Sequence, residues 1–272
     1  MLLMNKEEQI KIIEENYPLY KNGTSKREIR HDFFKNIQTE LQAYLLGFYA
    51  ADGSADEKRS MLRIKLSEKD KEIVELYKII SPEARTFNTG NYESVATVRN
   101  NTVKTGNIYG IEITSIILIN DLVDLGFGFK KTYLESSIPN IPENLIRHFI
   151  RGYFDGDGCI TGNVIFPKPV ELQTSKDIKK PSVKQSFQLD AKTITLISEI
   201  KEFFKKYNIN INYNYLKRDD MHRICTSSKK EVEKLFYFLY NDSNFYLQRK
   251  FNKFNYYVNT EVSQIITDHR NA

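Results

Sequence analysis

The sequence has 272 residues, which is long enough to bury a hydrophobic core and to form one or two domains. Its 40 Lys and Arg against 35 Asp and Glu give a net charge of +5, too small by itself to indicate a nucleic-acid partner. The sequence contains no signal peptide and no apolar run long enough to span a bilayer. Cys159 and Cys225 lack the spacing of metal ligands. We therefore expect a soluble protein without membrane partners, in a reducing cytoplasm or organelle interior.

The charge is unevenly distributed along the chain. Residues 201–253 contain 12 Lys and Arg against 6 Asp and Glu, whereas residues 1–40 contain seven of each. A basic segment of this kind is typical either of solvated helix faces or of a surface that binds phosphates.

Residues 1–34 predict an N-terminal helical extension. Residues 5–16 have the pattern of an amphipathic helix, and a capping box at Ser25–Glu28 predicts a second, basic helix through Phe34. The pair could be a brace packed on the core, which we favour, or a helix-turn-helix that reads DNA. In the second case the residues that would face DNA are Lys26, Arg27 and Arg30.

One apolar stretch that ends in Asp-Gly occurs twice. The first copy is YLLGFYAADG at residues 44–53, and the second, FIRGYFDGDG at residues 149–158, follows 105 residues later. Read as helices, both copies carry small residues four apart on one face, which would let the two helix backbones pack closely. These small residues are Gly47 and Ala51 in the first copy and Gly152 and Gly156 in the second.

Each copy places an aspartate at the end of its predicted helix. Gly53 and Gly158 predict helix ends in the left-handed conformation, directly after Asp52 and Asp157. A carboxylate is disfavoured at the negative end of a helix dipole, and two adjacent carboxylates also repel each other. The doubled aspartate therefore predicts a site for a divalent cation.

These two stretches resemble the paired motifs of the LAGLIDADG homing endonucleases, in their single-chain form with two motifs. The resemblance places Asp52 and Asp157 on the acid that binds metal in the family, with Mg²⁺ or another divalent cation such as Mn²⁺ as cofactor. The backbone carbonyls of Ala51 and Gly156 are further candidate ligands. Asp155 matches an earlier acid of the motif, where the first copy has Ala50.

The elements after each motif also repeat. In the first half, residues 61–67 alternate like a half-buried strand and residues 67–80 predict a helix. Further strands are predicted at 93–99 and 107–114 and a helix at 115–125. The second half gives strands at 184–190, 211–217 and 222–226 and helices at 193–207 and 229–240.

The repeat predicts two similar halves joined about a pseudo-twofold axis. Residues 35–138 would form the first half, 139–147 a linker, and 148–272 the second half with a loop inserted at about 167–183. The predicted fold class is α+β, with two αββαββα-like halves. The resemblance implies that their antiparallel sheets form a saddle over the major groove of DNA.

The exposed strand faces supply the candidate DNA contacts. Alternation places one set of polar side chains on the solvent side of each predicted sheet, where they could read bases in a groove. A solvated sheet face explains any single strand equally well. The candidates are Arg63, Lys65, Ser67, Lys184, Ser186, Gln188, Lys217 and Arg223.

Two lysines complete the predicted site. Lys131 and Lys250 occupy equivalent places at the close of each half, and the family has a basic residue near each catalytic acid. The residues around Lys131 match those usual around the family's basic residue well, whereas those around Lys250 match less tightly. Lys130 and Arg249 are possible substitutes for the two lysines. The alternative is that these lysines are solvated at helix ends.

The predicted function is metal-assisted hydrolysis of both strands of double-stranded DNA at a long, nearly asymmetric site by a monomer. Asp52 and Asp157 would hold Mg²⁺, and Lys131 and Lys250 would stabilise the transition state or polarise the attacking water. Two alternatives stay open. One is a non-catalytic DNA-binding regulator with the same fold, and the other is a maturase that binds a host intron RNA.

Overall fold

The computed structural model describes residues 4–21, 27–89, 95–98, 101–104, 106–129, 136–167 and 180–271. The chain divides into two compact units. The first comprises Met1–Asp157 and Asp242–Leu247, and the second comprises Gly158–Asn241 and Gln248–Ala272. The predicted domain boundaries stay a prediction. No helix in the described ranges has the length and apolar character needed to cross a membrane.

The first unit combines helices with antiparallel strands. The helices are α1 (Lys6–Asn16), α2 (Glu40–Asp52), α3 (Lys71–Leu76), α4 (Ile116–Asp124) and α5 (Glu143–Asp157). The strands are β1 (Tyr20–Lys21), β2 (Glu28–Ile29), β3 (Gly53–Asp56), β4 (Met61–Ser67), β5 (Arg85–Asn88), β6 (Val95–Val98), β7 (Asn101–Lys104) and β8 (Ile108–Thr114). Four strands form a sheet in the order β3-β4-β8-β5, and the pairs β1-β2 and β6-β7 form two separate two-stranded sheets.

The second unit contains another four-stranded antiparallel sheet. Its strands are β9 (Cys159–Ile165), β10 (Ser182–Ala191), β11 (Asn212–Leu216) and β12 (Met221–Thr226), in the order β11-β12-β10-β9. Its helices are α6 (Ile194–Lys206), α7 (Lys229–Tyr240), α8 (Gln248–Asn259) and α9 (Val262–Asn271).

Alternation along the strands sorts the side chains of both sheets. In β4, Leu62, Ile64 and Leu66 are buried, and α3 and α4 pack against this strand. In β10, Phe187 and Leu189 are buried, and the ring of Phe187 contacts helices of its own unit. The period-two pattern therefore identified the core face of each sheet. The predicted α+β class with antiparallel sheets is confirmed.

Several element predictions need correction. The predicted helix 67–80 is divided, because α3 lies between the 3₁₀ helices Glu68–Asp70 and Tyr77–Ile79. Strands β3, β5, β7 and β9 and helices α8 and α9 were not predicted. The proposed inserted loop at 167–183 lies largely outside the described residues.

The prediction of a second N-terminal helix is also wrong. Glu28 and Ile29 form β2, which pairs with β1, and residues 31–36 form turns. Arg30 is buried, and its Nε donates a hydrogen bond to the carbonyl of Ile79 at 2.9 Å, so this guanidinium does not face solvent. Arg27 is exposed, and Lys26 lies outside the described residues. The helix-turn-helix interpretation thus loses its second helix, and the brace interpretation stays a prediction.

The backbones of α2 and α5 approach each other closely in the first unit. A Cβ placed on Gly47 would lie 1.9 Å from the carbonyl oxygen of Phe149, and one on Gly152 would lie 2.1 Å from that of Tyr44. Phe149 follows Tyr44 by 105 residues, as Gly152 follows Gly47, so each helix makes the equivalent contact on the other. The pair is therefore symmetric at the level of individual atoms, and only glycine fits at these positions.

Asp121 on α4 is a carboxylate in an unfavourable environment. Its Oδ2 is buried and has no hydrogen-bond partner within the described part of the chain. Burial raises the pKa of Asp121 to about 6, and the charges of Asp32 and Asp124 act in the same direction against Lys35. The folded state therefore disfavours the ionised form of this side chain.

We predict that Gly47→Ala and Gly152→Ala each lower the free energy of unfolding by about 3 kcal/mol, because the new methyl group would meet backbone atoms. Alanine favours an isolated helix by about 1 kcal/mol over glycine, so a net loss shows that the steric contact dominates. Urea unfolding measures the effect. Gly106→Ala is the control, because no heavy atom lies within 4 Å of a Cβ there. A stabilised Gly47→Ala variant would contradict the close approach.

A second prediction concerns pH and Asp121. Because the pKa of Asp121 is raised in the folded state, its contribution to stability is present at low pH and is lost as pH rises from about 4 to about 6. Asp121→Asn should therefore be more stable than the wild type at pH 8, with a difference that shrinks toward pH 4. Urea titrations at both pH values test this. An equal difference at both pH values would contradict it.

Candidate functional site

The two motif helices end together with their aspartates. Asp52 is the last residue of α2 and Asp157 the last of α5, and both are exposed. A Cβ placed on Gly156 would lie 2.4 Å from the Cβ of Ala51 and 3.2 Å from the Oδ2 of Asp52. The Asp52 carboxylate thus lies beside the residue that precedes Asp157.

The helix end at Gly53 differs from its prediction. Gly53 has φ −75° and ψ 161°, an extended conformation, and starts β3 directly. A Cβ on this residue would lie 2.1 Å from the Cδ2 of Tyr49. Glycine is therefore needed here because the tyrosine ring packs over the backbone, and the left-handed helix end predicted at Gly53 is wrong.

The end of α2 is an unfavourable place for the Asp52 carboxylate, whose charge in turn acts on a buried phenol. Neither α2 nor α5 has a basic residue in its last turn to offset the helix dipole. Burial raises the pKa of Tyr77 well above its ordinary value, and the charges of Tyr49 and Asp52 raise it further. The Tyr77 hydroxyl donates to the carbonyl of Leu45 at 2.7 Å, so it stays protonated and cannot act as a base.

The donor set at the helix ends suits a hard divalent cation. Mg²⁺ commonly binds to one or two carboxylates and completes its shell with water and substrate phosphates. The two exposed carboxylates fit this pattern, and glycine at position 156 leaves open the space beside Asp52 that a Cβ would fill. In the described ranges, no group of three or more His, Cys, Asp and Glu side chains could hold a metal ion. A site of two carboxylates needs no such group.

The predicted lysines differ in what the structure describes. Lys250 is buried in the first turn of α8, and its Nζ donates to the carbonyl oxygen of Gly158 at 2.6 Å. Gly158 directly follows Asp157 in the chain. The Lys250 ammonium group therefore binds the residue next in sequence to a predicted metal ligand. The possible substitute Arg249 is exposed. Lys131 and Lys130 lie outside the described residues.

Sequence reasoning missed a hydrogen-bond system around Asp155. This side chain is 1% exposed, and its Oδ2 accepts hydrogen bonds from the Tyr44 hydroxyl and from the backbone N–H of Leu247, both at 2.8 Å. Leu247 ends the 242–247 segment, which belongs to the first unit although most of its sequence neighbours belong to the second. The match to the motif singled out Asp155, but it did not predict that this side chain would bind the backbone of Leu247.

A buried ion pair holds the same segment. Arg151 on α5 is fully buried, and its Nη2 donates to Glu40 Oε1 on α2 at 2.6 Å. The Arg151 Nε donates to the Phe245 carbonyl, and Glu40 accepts the backbone N–H of Asn244, both at 2.8 Å. Burial lowers the pKa of His148 to about 2, with Arg151 acting in the same direction, so its neutral ring accepts a hydrogen bond from Arg151. An arginine within an apolar helix was the sequence signal for this network.

The outer face of the first sheet carries three of the candidate DNA contacts. Arg63 is half-buried, and its Nε forms an ion pair with Glu112 at 2.8 Å, which orients the guanidinium on the sheet. Lys65 is exposed, with its Nζ 5.9 Å from the centre of the Phe87 ring, and Ser67 is exposed at the strand end. All three lie on the predicted face, and their contact with DNA stays a prediction.

The outer face of the second sheet carries four of the others. Lys184 is exposed there, and Ser186 and Gln188 are half-buried on the same face. Lys217 is exposed in the turn after β11, because the strand predicted to include this residue ends at Leu216. Arg223 is paired with Asp190 at 2.7 Å, and the hydrogen bond to this carboxylate raises the pKa of Arg223. Both candidate arginines are therefore oriented by acids of their own sheet, which sequence periodicity did not predict.

Comparisons with known proteins agree with the motif. Residues 144–236 match the family model described as a LAGLIDADG-like domain. The structure is similar to that of the LAGLIDADG meganuclease I-AabMI bound to uncleaved DNA, with 15% identity, a TM-score of 0.54, and coverage of 85% of this chain and 92% of that chain. It is also similar to the I-SmaMI LAGLIDADG homing endonuclease bound to cleaved DNA, with 10% identity, a TM-score of 0.52, and coverage of 87% and 92%. A comparison with curated proteins gives no match.

At these identities the two structures establish a shared fold. Together with the domain match, they confirm the predicted resemblance to the LAGLIDADG homing endonucleases.

The buried ion pair gives a prediction of its own. Arg151→Met should lower the free energy of unfolding by about 3 to 5 kcal/mol, because it leaves the Glu40 carboxylate buried without its cation. The double variant Glu40→Gln/Arg151→Met should lose less than the sum of the two single variants. Urea unfolding of all four proteins gives the coupling energy. Additive losses would contradict a direct interaction between these side chains.

Proposed function

We propose that this chain, which has the LAGLIDADG fold, is a site-specific endonuclease that hydrolyses both strands of double-stranded DNA as a monomer. The observation that carries the proposal is the pair of exposed aspartates at the joined ends of α2 and α5. Two carboxylates at the negative ends of two helix dipoles are electrostatically unfavourable, and a bound cation would offset this cost. The similar structures are those of a meganuclease and a homing endonuclease, each bound to DNA, which supports the choice of substrate.

Asp52 and Asp157 would hold the divalent cation, Mg²⁺ or Mn²⁺, with the carbonyls of Ala51 and Gly156 as further candidate ligands. When bound, the cation supplies charge neutralisation at the scissile phosphate and acidifies a water molecule. The carboxylates fix where this chemistry takes place. The rigid helix pair allows them little movement, because the contacts at Gly47 and Gly152 prevent the helices from approaching further.

Lys250 would stabilise negative charge that develops on the phosphoryl oxygens, and Lys131 would do the same in the other half. The hydrogen bond to Gly158 supports this role for Lys250, because it holds the ammonium group close in the chain to Asp157. As a cation with three donors, an ammonium group can keep one bond to the carbonyl and still present donors to a phosphate.

The outer faces of the two sheets would bind the DNA. Lys65, Lys184 and Lys217 are exposed cations that can contact phosphates, and such contacts supply most of the affinity. Arg63 and Arg223, which acids hold in fixed orientations, are better suited to base edges, because a preoriented guanidinium donates two parallel hydrogen bonds to guanine.

A non-catalytic DNA-binding regulator with the same fold is the second candidate. Such a protein would have no need for the two aspartates, and both are present. An RNA maturase would use the same fold for another ligand, and binding to a host intron RNA would distinguish it.

The proposal predicts that Asp52→Asn and Asp157→Asn abolish double-strand cleavage and leave DNA binding largely intact, because phosphate contacts elsewhere dominate affinity. A target is first selected by incubating the wild type with Mg²⁺ and a random-sequence DNA library and sequencing the new ends. Cleavage and binding of that target are then measured for each variant. EDTA should stop cutting and added Mg²⁺ should restore it.

The control for these variants is Asp56→Asn, a matched change of an acid further along β3 that forms an ion pair with Arg59. It should cut normally. Full cleavage by Asp52→Asn or Asp157→Asn would end the assignment of these residues. DNA binding without any cleavage by the wild type would favour the regulator.

A further inference from the structure

We propose that Asp155 is a positioning residue that fixes the chain ahead of α8 and so places Lys250 against the carbonyl of Gly158. Its expected effect on cleavage rests on the proposed function. The placement itself can be measured without any DNA.

The contacts of Asp155 point away from metal binding. The side chain is 1% exposed, and its Oδ2 already accepts hydrogen bonds from Tyr44 and from the backbone of Leu247. Asp157, two residues later, is exposed. The two acids of this motif therefore differ in their environment, because the buried one binds the chain and the exposed one is the proposed metal ligand.

The bond to Leu247 is one of a series that holds the 242–247 segment to α2 and α5. The Arg151 Nη1 donates to the Ser243 hydroxyl, and its Nε donates to the Phe245 carbonyl, both at 2.8 Å. Glu40 accepts the backbone N–H groups of Asn244 at 2.8 Å and of Phe245 at 3.2 Å. Arg151 and Asp155 are four residues apart and share one face of α5. Asp155 makes the last of these contacts before α8 begins.

From Leu247 the chain enters α8 at once. Gln248 is the first residue of the helix and Lys250 the third, so only two residues separate the anchored N–H from the lysine. Helical geometry fixes the direction of each side chain relative to the first turn. A shift at Leu247 is therefore transmitted to the Lys250 ammonium group, whose bond to Gly158 is 2.6 Å long.

The two motifs differ at this point. The first copy has Ala50 where the second has Asp155, so the first copy cannot make an equivalent bond through that position. The hydrogen bond from Leu247 to an acid at this motif position is therefore a feature of the second motif. We therefore expect its loss to affect the two DNA strands unequally.

The first test measures the accessibility of Lys250. Wild type and Asp155→Ala are treated briefly with an amine-acetylating reagent, and the extent of modification is read by mass spectrometry. Lys253, which is exposed on the same helix, is the internal reference. Loss of the hydrogen bond between Asp155 and Leu247 should raise the acetylation rate of Lys250 relative to that of Lys253 by about tenfold, because this region opens locally more often. An unchanged ratio in the folded variant would overturn the proposal.

The second test is strand-specific cleavage of the selected target with end-labelled DNA. Asp155→Ala should slow one strand by about ten- to a hundredfold, the same strand that Lys250→Met slows, because small misplacements of a catalytic group cost this much. The double variant should be no slower on that strand than Lys250→Met alone. Equal slowing of both strands, or additive effects in the double variant, would show a purely structural role and contradict the proposal.

Two further variants serve as a substitute and as a control. Asp155→Leu has a similar shape and no hydrogen-bond acceptor, so it replaces Asp155→Ala in both tests if the alanine variant does not fold. Tyr44→Phe removes the other hydrogen bond of Asp155 and keeps the one to Leu247, so it should leave Lys250 protected. Lys250 labelling in Tyr44→Phe equal to that in Asp155→Ala would overturn the role of the Leu247 bond. If the wild type cuts no DNA, the endonuclease proposal fails, and the labelling ratio alone decides the positioning.

Discussion

The close approach of α2 and α5 is the constraint on which the rest of the structure depends. Gly47 and Gly152 each face a backbone carbonyl on the other helix at a distance that leaves no room for a Cβ. Because the contacts are equivalent, the helices reach their ends in matching register, with Ala51 against Gly156. The two aspartates follow from this register. They are placed by backbone packing, which is far stiffer than the rotamers of two long side chains.

The two ends of the helix pair treat their carboxylates in opposite ways, because one end stabilises a carboxylate and the other disfavours two of them. Glu40 lies in the first turn of α2, where the dipole favours a carboxylate, and it is neutralised by the buried Arg151. Asp52 and Asp157 lie at the last residues, where the dipoles disfavour them and solvent reaches both. The second arrangement is electrostatically unfavourable by itself, and the cation that we propose at this site would offset it.

Much of this arrangement could be predicted from sequence. The repeat of Gly and Asp-Gly at a constant spacing identified both helices and their mutual face, and alternation in 61–67 and 184–190 identified the outer faces of both sheets. Local patterns failed where tertiary contacts decide the structure. The stretch ending in Phe34 has helical capping signals, but Glu28 and Ile29 pair as a strand. Arg30, which would face DNA in the helix-turn-helix alternative, is buried and donates to the Ile79 carbonyl.

The contacts of single polar side chains were equally beyond periodicity. Nothing local in the sequence shows that Asp155 accepts the N–H of Leu247, 92 residues away, or that Asp190 would hold Arg223. Such pairs depend on which elements meet, and a pattern of hydrophobic residues does not specify that. Lys250 was predicted from its place in the repeat, and its hydrogen bond to Gly158 could not be.

The most direct test of the central claim is a measurement of metal binding by the aspartate pair. Electron paramagnetic resonance of Mn²⁺, titrated into the protein with its selected DNA, distinguishes free from bound ions. The account predicts bound Mn²⁺ for the wild type and its loss in the double variant Asp52→Asn/Asp157→Asn, with DNA still bound. Undiminished Mn²⁺ binding by the double variant would contradict it.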